Sequence, residues 1–175
     1  MAAETSHAWA DDIYQALKKA KVAQVAFVPD AGHKQLINAC HADNTMTAVS
    51  LTTEEEGVAM LAGAWLGGQR GALLMQSSGA GNCINMLSII RECRFPLLML
   101  VTMRGEWGEF NPWQLPMGQG TPQALESAGV VVQRVDRPED VGETVFAGAL
   151  MAFGSNRPVA ILLGQRLVGF KDWSK

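Results

Sequence analysis

The chain has 175 residues, of which 48% are hydrophobic and 18% charged, so it suits one domain with a sizeable core and is not disordered. Its net charge of −3 and the lack of a basic block argue against a nucleic-acid partner. Polar residues interrupt every long apolar stretch, which excludes a transmembrane helix and a membrane partner.

The first twelve residues lack the basic and apolar parts of a signal peptide. Three cysteines form no CxxC pair and cannot all be paired within one chain; they are Cys40, Cys83 and Cys93. We therefore expect a cytoplasmic localisation, where thiols stay reduced.

Hydrophobic periodicity predicts helices and strands in alternation. In chain order we expect a helix with Trp9, Ile13, Leu17 and Val22 on one stripe, strand 25–28, helix 34–41, strand 45–50, helix 54–66, strand 72–76, a helix over about 82–91, strand 97–102, a long loop 103–121, helix 122–128, strand 130–134, helix 139–153 and strand 159–163. This pattern predicts an α/β fold, with residues 1–175 as one domain and a six-stranded parallel sheet covered by helices on both faces. Ligands gather at the carboxyl ends of such strands, which selects the loops 29–33, 50–56, 77–82 and 102 onward.

Three adjacent glutamates open the helix 54–66. Thr53 suits the N-cap and Glu56 completes a capping box, and we expect Glu54 to serve the helix end in the same way. Glu55 differs, because the helix behind it is small-sided and suited to tight packing against another helix. A glutamate entering such a packed region would be partly desolvated and able to exchange a proton.

The segment from Gln76 to Asn82 is a strand end followed by a glycine-rich turn into a helix. It is not a P-loop, since no Gly-Lys-Ser/Thr follows, and Ile84 stands where a dinucleotide fingerprint needs its third glycine. A tight turn and a ligand-binding loop are equally compatible with it.

Asp30 and His33 lie in the loop after the first strand. Asp30 either begins the turn or faces a ligand, and His33 either sits on the surface of the first helical turn or contributes to the site. His7 and His41 have no neighbours at ligand spacing, so we expect no metal cluster made by this chain.

The long loop combines aromatic rings with charge. Its exposed tryptophans need something to pack on, either a substrate, a partner subunit or the domain itself. Arg104 follows closely on a strand end and is the best candidate to bind an anion.

Together these segments resemble the pyrimidine-binding domain of thiamine diphosphate enzymes, and within that group the sulfopyruvate and phosphonopyruvate decarboxylases. The resemblance runs from Val25 to Leu163, and its most specific stretches are 53–68 and 74–82, followed by Arg104-Gly105 and Pro116-Met117-Gly118. Val28-Pro29-Asp30 also looks like the first loop of that group.

The resemblance implies that Glu55 is catalytic and hydrogen-bonds N1′ of the cofactor's aminopyrimidine. It places further cofactor contacts at Pro29, Ser78, Gly79 and Asn82. It places substrate contacts at Asp30, His33, Gln76, Arg104 and Trp107, with segment 103–121 as an active-site or interface loop.

The family holds the diphosphate through Mg²⁺ bound by a Gly-Asp-Gly domain, and no Gly-Asp-Gly occurs in this sequence. The resemblance therefore implies an alpha subunit of a 2-oxo acid decarboxylase. A beta subunit would bind the Mg²⁺ in an α2β2 or larger hetero-oligomer. Two alternatives stay open: a carboligase or lyase acting on aromatic or aliphatic substrates, and a non-catalytic regulatory relative.

Overall fold

The computed structural model describes residues 8–170. Within that range the chain forms a six-stranded parallel sheet of order β2-β1-β3-β4-β6-β5, with eight α-helices, and the predicted fold class is confirmed. None of the helices in this range is long and apolar enough to cross a membrane.

The strands are β1 Val22–Phe27, β2 Thr47–Ser50, β3 Arg70–Gln76, β4 Leu97–Thr102, β5 Val131–Val135 and β6 Pro158–Leu163. The helices are α1 Ala8–Lys19, α2 Lys34–Ala42, α3 Glu54–Leu66, α4 Ser77–Cys83, α5 Leu87–Cys93, α6 Leu115–Ser127, α7 Val141–Ser155 and α8 Gln165–Val168. Two 3₁₀ turns precede α6 and α7, at Pro112–Gln114 and Pro138–Asp140.

The sheet separates two apolar cores because successive strand residues point to opposite faces. On one face Leu74 and Leu100 pack with α1, α2 and α7. On the other face Leu73 and Met99 pack with α3, α5 and α6. Every residue of β4 and β6 is buried, so the carboxyl ends of the central strands are held in a rigid frame.

Two predicted boundaries are wrong for a local reason. Val22 belongs to β1 and not to the first helix, because α1 ends at Lys19 and Lys21 takes a left-handed turn with φ +58°. The predicted end of the helix 139–153 is also wrong, because α7 continues to Ser155. It stops there because Asn156 takes the same left-handed conformation, with φ +51°.

Two further predictions fail because tertiary packing overrides local signals. The glycine-rich turn after β3 is the helix α4, and the predicted helix 82–91 is divided into α4 and α5. The predicted loop 103–121 ends early, since α6 begins at Leu115 with Pro116 in its first turn, where a missing N–H costs nothing.

Gly118 and Gly120, both in α6, provide a matched pair of substitutions. A Cβ at Gly118 would lie 1.9 Å from the Arg104 carbonyl oxygen, whereas a Cβ at Gly120 would meet nothing within 4 Å. We expect Gly118→Ala to lower the free energy of unfolding by ~2–3 kcal/mol, because backbone cannot yield as a side chain does. Gly120→Ala should raise it by ~0.5–1 kcal/mol through helix propensity. Urea unfolding of both variants measures this, and equal effects would contradict the close approach of α6.

Candidate functional site

Loops that are distant in sequence meet at the carboxyl edge of the sheet. The hydroxyl of Thr102, at the end of β4, donates to Asp30 Oδ2 at 2.6 Å, which joins the loops after β4 and β1. The backbone N–H of Arg104 donates to Ser77 Oγ at 3.1 Å, which joins the loop after β4 to α4. The loops that the sequence selected as the site therefore form one continuous surface.

Glu54 is buried, with only 6% of its surface exposed, and its Oε2 accepts a hydrogen bond from Asn82 Nδ2 at 2.8 Å. A Cβ at Gly79 would lie 2.1 Å from Glu54 Oε1, so glycine at this position makes room for the carboxylate. Glu54 lies in the first turn of α3, as predicted, but its carboxylate also binds Asn82 of α4, so its role is not limited to the helix end. Its burial arises from α4, which local sequence did not predict as a helix.

Glu56 caps the N-terminus of α3, as predicted, although it binds Thr52 and not the predicted N-cap residue Thr53. Its carboxylate accepts from the backbone N–H of Thr52 at 3.0 Å and from the Thr52 hydroxyl at 2.7 Å. The side chain of Thr53 occupies the N-cap position but makes no capping hydrogen bond. The hydrogen bonds from Thr52 lower the pKa of Glu56.

Glu55 lies between these two and is exposed in the first turn of α3. Burial, together with the charges of Glu54 and Glu55, raises the pKa of the Cys83 thiol to about 12, so both carboxylates act on the end of α4. Ala59 and Gly63 on the same helix are exposed too, and a Cβ on Gly63 would meet no described atom within 4 Å. The desolvation expected for Glu55 is therefore not provided by the described part of this chain.

The remaining predicted cofactor contacts lie around α4 and β1. Asn82 is exposed apart from its bond to Glu54, Ser78 is half-buried, Gly79 is buried and Pro29 is exposed. Gln76, predicted as a substrate contact, precedes α4, and its buried Oε1 has no hydrogen-bond partner within residues 8–170.

Asp30 lines a cavity of about 110 Å³ at the ends of β1 and β4. The other lining residues are Ala31, Gly32, Thr102, Arg104, Val168, Gly169 and Phe170. The cavity has room for a group of a few heavy atoms, and it places the Asp30 carboxylate where a small ligand would touch it.

His33 is 1% exposed, which rules out the first of its two alternatives, a surface position in the first helical turn. Its Nε2 lies 3.1 Å from the Leu100 carbonyl oxygen and donates to it, while Nδ1 is buried without a partner in the described part of the chain. Burial lowers the pKa of His33, although the nearby charge of Asp30 opposes this. The ring is therefore neutral, and almost none of it is open to a substrate.

Arg104 forms a two-pronged ion pair with Glu109, with Nε and Nη2 each 2.7 Å from a carboxylate oxygen. Burial alone would raise the pKa of Glu109. Hydrogen bonds from Arg104 and from the backbone N–H groups of Asn111 and Gly105 outweigh that effect and hold it at about 2. The cation predicted to bind a substrate anion is thus already neutralised by a carboxylate within its own loop.

The aromatic loop, residues 104–114, is folded against its own domain at one end and exposed at the other. The Trp107 ring meets Phe170 edge-on with centroids 5.1 Å apart, and the Arg166 guanidinium lies 4.7 Å from the Trp107 ring centre. Trp113 is 82% exposed and Phe110 is 48% exposed. The loop therefore offers an apolar surface as well as a structural anchor.

Gln165 is a further polar residue of the carboxyl edge that was not predicted from the sequence; it is the first residue of α8 and is 1% exposed. Its side chain bonds to the aromatic loop at three points. Gln165 could have been found from the sequence, because it is a polar residue that closely follows an apolar strand and so lies at the edge of the sheet where ligands bind.

Within residues 8–170 no group of three or more His, Cys, Asp or Glu side chains is placed to hold a metal ion. The carboxyl edge of the sheet has groups that suit the polar side of an aminopyrimidine. Such a ring needs a carboxylate and hydrogen-bond acceptors, and Glu55 and the unpaired Oε1 of Gln76 supply these types of group.

The strand order and the polar residues at the carboxyl edge define an α/β ligand-binding domain whose site lies at the ends of parallel strands. Residues 8–126 match the family model described as thiamine pyrophosphate enzyme, N-terminal TPP binding domain, and the chain belongs to this family. That confirms the resemblance noted from the sequence motifs.

Two similar relatives are named sulfopyruvate decarboxylase subunit alpha. The protein of Methanococcus maripaludis is 34% identical over 152 residues, covering 86% of this chain and 91% of the relative. That of Methanocaldococcus jannaschii is 32% identical over 151 residues, covering 86% and 89%. A phosphonopyruvate decarboxylase of Streptomyces viridochromogenes is 33% identical over 162 residues, which is 91% of this chain but 41% of that relative.

Among solved structures, the fold is similar to a 2-oxoglutarate:ferredoxin oxidoreductase from Magnetococcus marinus. The TM-score is 0.76 at 15% sequence identity, covering 91% of this chain and 29% of the other. At that identity the likeness supports the fold alone.

Proposed function

We propose that this chain is the pyrimidine-binding alpha subunit of a cytoplasmic thiamine diphosphate-dependent decarboxylase acting on a 2-oxo acid of the sulfopyruvate or phosphonopyruvate type. The observation that carries the proposal is the nearly full-length likeness to sulfopyruvate decarboxylase alpha subunits. The free thiols of the three cysteines are consistent with a reducing compartment.

Thiamine diphosphate, when bound, accepts the electron pair left on a 2-oxo acid as carbon dioxide departs. Glu55 would hold a proton at N1′ of the aminopyrimidine, from its position in the first turn of α3. Gln76 would accept a hydrogen bond through its unpaired Oε1, and Asn82 and Ser78 would line the same edge. Glu54 supports this surface by binding Asn82 from beneath.

We further propose a beta subunit that carries Mg²⁺ and the diphosphate site. Two observations support it: the relatives covered almost completely are named as alpha subunits, and more than half of the longer phosphonopyruvate decarboxylase lies outside the likeness. The exposure of Glu55, Ala59 and Gly63 is consistent with a partner that covers this face. Such cover would remove water from the Glu55 carboxylate and favour proton sharing with a ring nitrogen.

A second candidate function is a carboligase or lyase acting on aromatic or aliphatic substrates. It is favoured by the aromatic loop, whose Trp113 and Phe110 are exposed, and by the ion pair that occupies Arg104. In this alternative an aldehyde, and not a proton, captures the carbon left after decarboxylation.

A substrate panel on the complex with its partner subunit separates the two. We expect the kcat/KM for sulfopyruvate or phosphonopyruvate to exceed that for phenylglyoxylate by about tenfold or more, with carbon dioxide and an aldehyde as products. Trp113→Ala should leave that ratio unchanged if the tryptophan lies outside the pocket. Faster turnover of phenylglyoxylate, lost in Trp113→Ala, would instead establish the aromatic alternative.

A further inference from the structure

We propose that Gln165 is a positioning residue that fixes the aromatic loop against α8 and thereby sets the shape of the Asp30 cavity. The assignment rests on the proposed function only for its kinetic consequence, since the loop geometry itself can be measured on this chain alone.

Gln165 uses both ends of its amide. Its Oε1 accepts from the backbone N–H of Glu106 at 2.7 Å and of Trp107 at 2.9 Å. Its Nε2 donates to Glu109 Oε2 at 3.0 Å. One buried side chain, only 1% exposed, therefore holds the loop at three positions.

The main chain at Gln165 completes the connection. Its N–H donates to Glu106 Oε2 at 3.1 Å, and the same Glu106 carboxylate pairs with Arg134 of β5. Glu109 in turn holds Arg104 through their two-pronged ion pair. The loop is thereby tied to β5 and α8.

These contacts join two walls of the cavity. Arg104 lines it from the aromatic loop, and Val168, Gly169 and Phe170 line it from the segment that follows Gln165. Phe170 also packs edge-on against Trp107, so the loop and the segment after α8 touch directly. A change in the angle between them would change the space in front of Asp30.

The chemistry at this position requires an amide. Leucine has a similar size but can neither donate nor accept, so it would leave the N–H groups of Glu106 and Trp107 without their partner and remove one hydrogen-bond donor from Glu109. Glutamate could still accept from the N–H groups, but its second oxygen would face Glu109. The charged groups around position 165 are Glu109, Glu106 and Arg104 of the loop, Arg134 and Asp136 at β5, and Arg166 on α8.

The glutamate variant therefore responds to pH. A protonated carboxyl at position 165 can donate to Glu109, which stays ionised because its pKa is about 2. The carboxylates that bond Gln165, those of Glu106 and Glu109, would repel an ionised group at this position, so the new carboxyl stays protonated to a higher pH than a free glutamate. Gln165→Glu should hold the loop in mild acid and release it in mild base.

The test uses the full chain labelled with 5-fluorotryptophan, in which Trp107→Phe identifies the Trp107 signal by ¹⁹F NMR. We expect Gln165→Leu to move the Trp107 signal toward its solvent-exposed position, while Gln123→Leu, the same change at an exposed glutamine on α6, leaves it in place. Gln165→Glu should match Gln165→Leu at about pH 8 and wild type at about pH 5.5.

In the assembled enzyme, Gln165→Leu should raise KM for the 2-oxo acid by roughly tenfold and change kcat much less, because the altered cavity binds the substrate and the transition state equally less well while Glu55 is untouched. An unmoved Trp107 signal in Gln165→Leu, or a pH response of Gln165→Glu identical to that of wild type, overturns the assignment. If Gln165→Leu does not fold by circular dichroism, the pH response of Gln165→Glu decides. An inactive complex with the expected ¹⁹F shifts would count against the proposed function and not against the positioning role.

Discussion

Glu55→Gln should slow exchange of the thiamine diphosphate C2 proton in the assembled enzyme by about 10²–10⁴-fold. Glutamine keeps the volume and can still form a hydrogen bond, but it cannot share a proton with a ring nitrogen. Deuterium exchange at C2, followed by NMR, measures this step without depending on the identity of the substrate. Far-UV circular dichroism should be unchanged, since Glu55 is exposed and its side chain is not part of the core.

Glu56→Gln is the matched control. Glu56 is also exposed, on the same turn of α3, and its carboxylate bonds only to Thr52 among the side chains described here. We expect a loss of about 1 kcal/mol of stability or less, as for a weakened cap, and unchanged C2 exchange. Equal exchange rates in wild type and Glu55→Gln would remove Glu55 from the mechanism.

Thiamine diphosphate with Mg²⁺ should bind the isolated chain about a hundredfold more weakly than the complex with the beta subunit, which corresponds to ~2.7 kcal/mol. Mg²⁺ in such sites is held by carboxylates together with the phosphates, and residues 8–170 contain no group of three or more His, Cys, Asp or Glu side chains placed to hold a metal ion. The prediction follows from the proposal that the beta subunit carries Mg²⁺ and the diphosphate site. Titration calorimetry on the chain, the partner and the mixture compares the three affinities directly.

Thiamine, which lacks the diphosphate, tests the contacts to the pyrimidine separately. Adding the partner should increase the affinity for thiamine much less than the affinity for thiamine diphosphate, because the partner contributes contacts to the diphosphate that thiamine cannot make. Tight, Mg²⁺-dependent binding of the full cofactor to the lone chain would overturn the division of the site between two subunits.

The order of the six strands and of the longer helices was predictable from the sequence because the responsible signals are local. Apolar residues at helical spacing place Ile13 and Leu17 on one buried stripe, and continuous apolar runs such as Leu97–Thr102 indicate strands covered on both faces. The same reasoning located the candidate site, since parallel strands bring their carboxyl ends to one edge. The family resemblance then singled out Glu55 among three adjacent glutamates.

The roles of individual polar side chains were decided by contacts between distant segments. Glu54 looks like a capping residue until α4 covers it, and its partner Asn82 lies 28 residues away. His33 looks like a surface residue until β4 presents the Leu100 carbonyl, 67 residues away.

Arg104 illustrates a different limit of local reasoning. A free arginine and one paired with Glu109 have the same sequence signature, because the pairing depends on how the loop between them folds. That fold depends in turn on Gln165, 56 residues beyond Glu109. The sequence alone thus determined the fold class and selected the edge and the glutamate, Glu55, that we propose for the site, because periodicity and motif spacing are local properties. Only the tertiary structure decided which charges are buried, paired or open to a ligand, because desolvation and hydrogen bonding depend on neighbours that the chain brings together only on folding.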